Sequence, residues 1–162
     1  MTFFTDNTQS YDKIWFKPAS GSRLPVRVKA SKDAHFKLQT SNKSVSYEIV
    51  LGSFENTRSD IIRLPTGDIR LPTGGTLNST FRAGLLRPDE YVPFVIAWNN
   101  SKIVVARGVN GSDIIVEWSN SSANINVEMV GLAGYQLRFE GGDNYLEEFQ
   151  LQETEGKMIS SY

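Results

Sequence analysis

Apolar and polar side chains alternate along many short segments of this chain. Val26-Arg27-Val28-Lys29-Ala30 alternates, and so do Val45-Ser46-Tyr47-Glu48-Ile49 and Ile114-Ile115-Val116-Glu117-Trp118. Ile125-Asn126-Val127-Glu128-Met129 and Tyr135-Gln136-Leu137-Arg138-Phe139 repeat the pattern. A period of two sends successive side chains to opposite faces of a sheet. Many such segments at short spacing, with almost nothing helical between them, predict an antiparallel sandwich or barrel. The open parallel α/β sheets that carry many enzymes are thereby set aside.

Ile14-Trp15-Phe16 reads as a first strand, and Pro18 to Pro25 as a loop. Strands follow at about 25–30, 35–40 and 45–51. Gly52 to Thr80 is the least regular stretch, and it holds a duplication, Arg63-Leu64-Pro65-Thr66-Gly67 and Arg70-Leu71-Pro72-Thr73-Gly74. Pro-Thr-Gly is turn chemistry, because proline presets φ and glycine permits positive φ. The stretch therefore reads as a long loop, either functional or a tolerated surface insertion. Beyond it, Tyr91–Trp98, Ile103–Arg107 and Asp113–Trp118 read as a meander, with turns at Asn99–Lys102, Gly108–Gly111 and Ser119–Ala123. The last strands are expected at about 125–131, 134–140 and 145–152.

Ten or eleven strands are too many for one open twisted sheet and favour two packed layers. The expected fold is an all-β, antiparallel β-sandwich of the jelly-roll or lectin-like kind, with a barrel as the alternative. Residues 1–13 are expected to form an N-terminal arm, 14–152 a single domain and 153–162 a polar tail.

Composition narrows the function classes. The chain has 162 residues, enough for one sizeable core, and a net charge of −1 with the charges interspersed. No basic stripe is present, so no nucleic acid is expected as a partner. No apolar run approaches the ~20 residues that a membrane span needs. Cysteine is absent, which excludes disulfides, thiolate metal sites and cysteine nucleophiles. The N-terminus shows no secretory leader, so localisation stays open between the cytoplasm and an extracellular setting within a larger chain. Asn-x-Ser/Thr occurs at Asn42, Asn78, Asn99, Asn110 and Asn120. That spacing fits a glycosylated extracellular domain and also arises by chance in a chain rich in serine and asparagine.

Catalytic motifs are mostly missing. The one histidine, His35, shares a strand face with Asp33 and could touch it, but it has no visible nucleophile to serve. No nucleophile elbow, Walker A loop or dinucleotide fingerprint occurs. Gly141-Gly142-Asp143-Asn144 joins two expected strands and reads as a turn. Glu48, Glu117 and Glu128 point away from apolar strand faces, so two of them could meet as a hydrolytic pair, or all three could sit in water. No metal site and no cofactor are expected.

The aromatics offer more. Trp98 and Trp118 each end a strand beside an asparagine-rich turn. Tryptophan next to Asn and Arg suits sugar recognition, with C–H faces on the ring and polar groups on the hydroxyls. The candidate ligand-binding residues are Trp98, Asn99, Arg107 and Trp118, with Glu48, Asn56 and Arg58 second. The expected partner is a glycan or a protein surface, and a homo-oligomer stays open.

Two blocks carry a family resemblance: Val28-Lys29-Ala30-Ser31-Lys32-Asp33-Ala34-His35-Phe36-Lys37-Leu38, and Tyr47-Glu48-Ile49-Val50-Leu51-Gly52-Ser53-Phe54-Glu55-Asn56-Thr57-Arg58-Ser59. Phe94–Trp98, Ile103–Gly108 and Val130-Gly131 add to it. Over about residues 25 to 140 the chain resembles the farnesoic acid O-methyltransferase-like domain family. It departs where the Arg-Leu-Pro-Thr-Gly duplication lengthens the segment after Ser59. The family name implies methyl transfer from S-adenosylmethionine to a sesquiterpene acid, although no cradle for that cofactor is readable. The resemblance also implies a β-sandwich recognition module. The pattern is similar to galectin-like and laminin-G-like sandwiches, but the galectin sugar motif is absent.

Overall fold

Seven strands in each of two sheets, all paired antiparallel, make up the computed structural model of the protein. It describes residues 2–4, 14–17, 23–41, 45–65, 75–134, 138–141, 150–152 and 160–161. In chain order the strands are β1 (Thr2–Phe4), β2 (Ile14–Lys17), β3 (Arg23–Lys29), β4 (Ala34–Thr40), β5 (Val45–Gly52), β6 (Arg58–Pro65) and β7 (Thr76–Phe81). Then come β8 (Val92–Trp98), β9 (Lys102–Arg107), β10 (Asp113–Ser119), β11 (Val127–Gly134), β12 (Arg138–Gly141), β13 (Gln150–Gln152) and β14 (Ser160–Ser161). One sheet runs β10-β9-β8-β3-β12-β1-β14 and the other β13-β2-β11-β4-β5-β6-β7. The sandwich expected from the alternation is therefore the fold.

The inward positions of the alternating segments form one core. Leu24, Phe94, Ile96 and Ile103 from the first sheet and Phe36, Leu38, Ile49, Leu51 and Ile61 from the second are fully buried. Each such side chain contributes about 1.5–3 kcal/mol on leaving water. The strands β10 and β7 end their sheets on the same side. Two side-chain contacts close that side: the Asn78 amide donates to the Glu117 carbonyl at 2.7 Å, and Arg82 pairs with Asp113 at 2.6 Å.

The stretch from Gly52 to Thr80, expected to be an irregular loop, holds two strands. β6 pairs with β5 from Val50↔Asp60 to Val45↔Pro65, and β7 pairs with β6 from Arg58↔Phe81 to Ile62↔Thr76. Proline and glycine in the duplicated motif suggested a loop, but the first copy begins within β6 at Arg63-Leu64-Pro65. The rest of the duplication lies outside the described residues, as does the Gly142-Asp143-Asn144 part of the expected turn. Residues 2–4 of the expected arm pair with β12, and residues 160–161 of the expected tail pair with β1.

Candidate functional site

The outer face of β4, β5 and β6 departs from simple alternation. His35, Lys37, Ser46, Glu48 and Asp60 share that face with Val50, Ile62 and Leu64, and all are buried. Glu48 is 3% exposed, so it does not sit on a solvated strand face. His35 turns to Glu48 rather than to Asp33, with Nδ1 3.4 Å from the carboxylate but too poorly aligned for a hydrogen bond. Burial pulls the Lys37 ammonium below its ordinary pKa, and Glu48 partly offsets this. Glu117 lies on the other sheet and pairs with Lys102 at 3.3 Å, so Glu48 and Glu117 cannot act as one hydrolytic pair.

The remaining candidates separate to the two ends of the sandwich. At the end where β5 and β7 finish, Ser53–Asn56 form a single left-handed turn. Phe54, Glu55 and Asn56 have φ of 51°, 58° and 61°. Left-handed backbone costs L-residues roughly 1–2 kcal/mol each, so the surroundings must impose it. Asn56 supplies most of that constraint. Its amide donates to the Leu86 carbonyl at 2.9 Å, its Oδ1 accepts from the Leu86 N–H at 3.1 Å, and its own carbonyl accepts from the Gly84 N–H at 2.9 Å. Beneath the turn, buried Asp60 accepts from the Ser53 and Ser79 hydroxyls and pairs with Arg58 at 2.8 Å. The Arg58 guanidinium lies 4.1 Å from the centre of the Phe54 ring and 5.8 Å from that of Phe81, both exposed. Nearby, Arg107 and Arg82 share one carboxylate, Asp113, at 2.9 and 2.6 Å. That pairing holds Asp113 at about 2, chiefly through the Arg82 hydrogen bond.

At the opposite end, Trp98, Ile103 and Trp118 form one inward-facing row across β8, β9 and β10. Two strand spacings, roughly 10 Å, separate the tryptophans. Trp98 is 7% exposed and packs in the core. Asn99 shapes the β8–β9 turn, where its Oδ1 accepts from the Ser101 N–H at 2.8 Å. Trp118, on the edge strand, is half-buried and lines a cleft of about 450 Å³ between the two sheets. Its ring lies 5.6 Å from that of Tyr47 at an interplanar angle of 38°. Val45, Leu77 and Ala123 add apolar surface, and Arg63, Asn120, Ser122 and Asn124 add polar groups. The Asn120 Oδ1 accepts from the Ser122 N–H at 2.9 Å, which orders the β10–β11 loop along the cleft. Burial raises the Tyr47 phenol above its ordinary pKa, and Arg63 opposes the rise.

Of the seven candidates, only Trp118 lines this cleft. Sequence reasoning missed Tyr47, which looked like an ordinary inward strand residue, and Arg63, which fell in the presumed loop. The only available signal was the polar run Asn120-Ser121-Ser122-Ala123-Asn124 directly after Trp118. Among the described residues no cluster of three His, Cys, Asp or Glu could hold a metal ion, and no helix is long and apolar enough to cross a membrane.

Comparison with solved structures shows what this architecture resembles. The galectin LEC-6 of Caenorhabditis elegans superimposes with a TM-score of 0.55 at 12% identity, over 94% of this chain and 96% of that one. The carbohydrate binding module CBM66 of Bacillus subtilis gives 0.53 at 7% identity, over 84% and 85%. A single mutant of congerin II gives 0.52 at 15% identity, over 87% and 100%. At such identities the likeness establishes the lectin-like sandwich fold. No curated protein sequence matches this one. The model of the farnesoic acid O-methyl transferase family matches residues 3–140, most of the chain, and the protein belongs to that family.

Proposed function

We propose that this protein is a non-enzymatic recognition module that binds carbohydrate in the cleft between Tyr47 and Trp118. One observation carries the reading: a tilted aromatic pair, 5.6 Å between centroids, lines a cleft of about 450 Å³ whose lining also includes Asn120, Ser122 and Asn124. The volume falls in the range of about 300–1,000 Å³ common for small-molecule sites. The C–H face of a pyranose packs on the exposed part of Trp118, while amides and hydroxyls meet the sugar's hydroxyls. The likeness of the fold to a galectin and to a carbohydrate binding module supports the reading without locating the site.

The family name points to methyl transfer, which requires S-adenosylmethionine. That cofactor carries a positive sulfonium and a ribose diol, a group that carboxylates commonly hold. Among the described lining residues the charged side chain is Arg63, and none is acidic. No described lining residue offers a carboxylate to the ribose diol or the sulfonium, so the cleft lacks the acidic group that this cofactor calls for.

A glycan array, followed by titration of tryptophan fluorescence, tests the proposal. Binding should quench or shift the emission of the wild type, and Trp118→Ala should lose the affinity while remaining folded. Silence across the array would remove the carbohydrate reading.

A further inference from the structure

Arg63 carries the charge that the described lining residues bring to the cleft, and it differs from the paired arginines at the opposite end of the sandwich. Arg58, Arg82, Arg87 and Arg107 each pair with a carboxylate. Arg63 has no carboxylate partner among the described residues. It is exposed on β6 directly opposite Tyr47 on β5, and it borders the same cleft as Trp118. A guanidinium offers five donors in a planar fork that matches a carboxylate two-to-two. With no acid among the described lining residues, Arg63 sets a positive charge beside an aromatic wall that no described carboxylate offsets.

We propose that the cleft selects glycans bearing a carboxylate, such as a uronic or sialic acid, with the acid on Arg63 and the sugar ring on Trp118. This rests on the carbohydrate reading above. The geometry suits the pairing, because Arg63 and Tyr47 form a cross-strand pair and Trp118 stacks against Tyr47. One sugar ring therefore reaches the guanidinium and the indole together. The proximity of Arg63 to the Tyr47 phenol, which pulls against the effect of burial, marks the same local positive field.

The experiment compares uronate oligosaccharides and sialylated glycans with their carboxyl-reduced counterparts, by calorimetry and tryptophan fluorescence. A charge-assisted pair predicts a preference of about 10- to 100-fold for the acidic forms, falling as salt rises. Arg63→Gln should erase the preference, weakening the acidic forms about 10- to 100-fold more than the neutral ones, and Arg63→Lys should restore it only in part. Equal binding of acidic and neutral forms, with Trp118→Ala still disruptive, would overturn this inference and leave the carbohydrate reading standing. Failure to bind any acidic or neutral form would overturn both. Unchanged melting temperature in the Arg63 variants keeps misfolding out of the comparison.

Discussion

Replacing Asn56 by alanine tests whether the left-handed turn is held by one side chain. The substitution removes both hydrogen bonds to Leu86, 2.9 and 3.1 Å long. Leu86 is 2% exposed, so its N–H and carbonyl are poorly placed to find water instead. Each orphaned group costs about 1 kcal/mol, the low end for unsatisfied groups, because these bonds are only part-buried. Alanine at a φ of 61° adds about 1 kcal/mol that asparagine largely avoids. The total is about 3 kcal/mol. For 162 residues, an unfolding entropy of about 0.34 kcal/mol/K turns this into a fall of about 9 °C in melting temperature. Asn56→Gly loses the same bonds but accepts the left-handed backbone, so it should cost about 1 kcal/mol less. Urea unfolding and scanning calorimetry on the three proteins measure both steps. Alanine and glycine variants of equal stability, or an alanine variant within about 0.5 kcal/mol of wild type, would refute the account.

Three further predictions concern the same scaffold. Trp98→Ala should lose roughly 3–5 kcal/mol of stability as a core truncation, whereas Trp118→Ala, half-buried, should lose less; chemical denaturation separates them. Asp113 titrates at about 2 in the folded protein against about 3.9 in an unfolded chain. A depressed folded value means that its contribution is intact above pH 4 and is lost as the pH falls toward 2, so Asp113→Asn should flatten that part of the pH–stability curve. Gly52→Ala should destabilise the protein, since a Cβ there would sit 2.7 Å from Leu86 Cδ1 and 2.9 Å from Asn56 Oδ1 at a φ of +69°; a variant that melts like wild type would contradict this.

Much of the fold was legible because alternation is a local signal. Val26–Ala30 and Val45–Ile49 each show their inward and outward faces within five residues, and the Asn99–Lys102 and Gly108–Gly111 turns name themselves by their chemistry. β6 and β7 were not legible. Ser59-Asp60-Ile61-Ile62 has no clean period because its outward face is buried too, around Asp60, Ile62 and Leu64. Glu48 misled for the same reason: a carboxylate at an outward position normally marks a wet face, and here that face is covered. The cleft was illegible on other grounds. Tyr47, Arg63 and Trp118 come from β5, β6 and β10, and β10 belongs to the opposite sheet. Their meeting depends on how the two sheets lie across each other, which no local pattern encodes. The left-handed turn was visible only as the motif Asn56-Thr57-Arg58-Ser59, with no sign of its handedness.

The two ends of the sandwich differ in what a ligand would have to displace. At the turn, the Asn56 amide is committed to Leu86, Arg58 to Asp60, and Arg107 to Asp113. A ligand there must break protein hydrogen bonds before forming its own, and the net gain is small. Around the cleft, the Arg63 guanidinium, the Ser122 hydroxyl and the Asn124 amide make no hydrogen bond to the described residues, and the Asn120 amide nitrogen is also unengaged. A ligand there replaces only water, beside an aromatic wall that is already in place. On the proposed reading, the strained turn and its arginines serve stability and the cleft serves recognition. That division has a consequence for the variants: Asn56→Ala should lower the melting temperature without changing the affinity of the protein that stays folded, and Trp118→Ala should act mainly on affinity. A turn variant that weakened binding as strongly as the loss of Trp118 would place the ligand at the other end of the molecule.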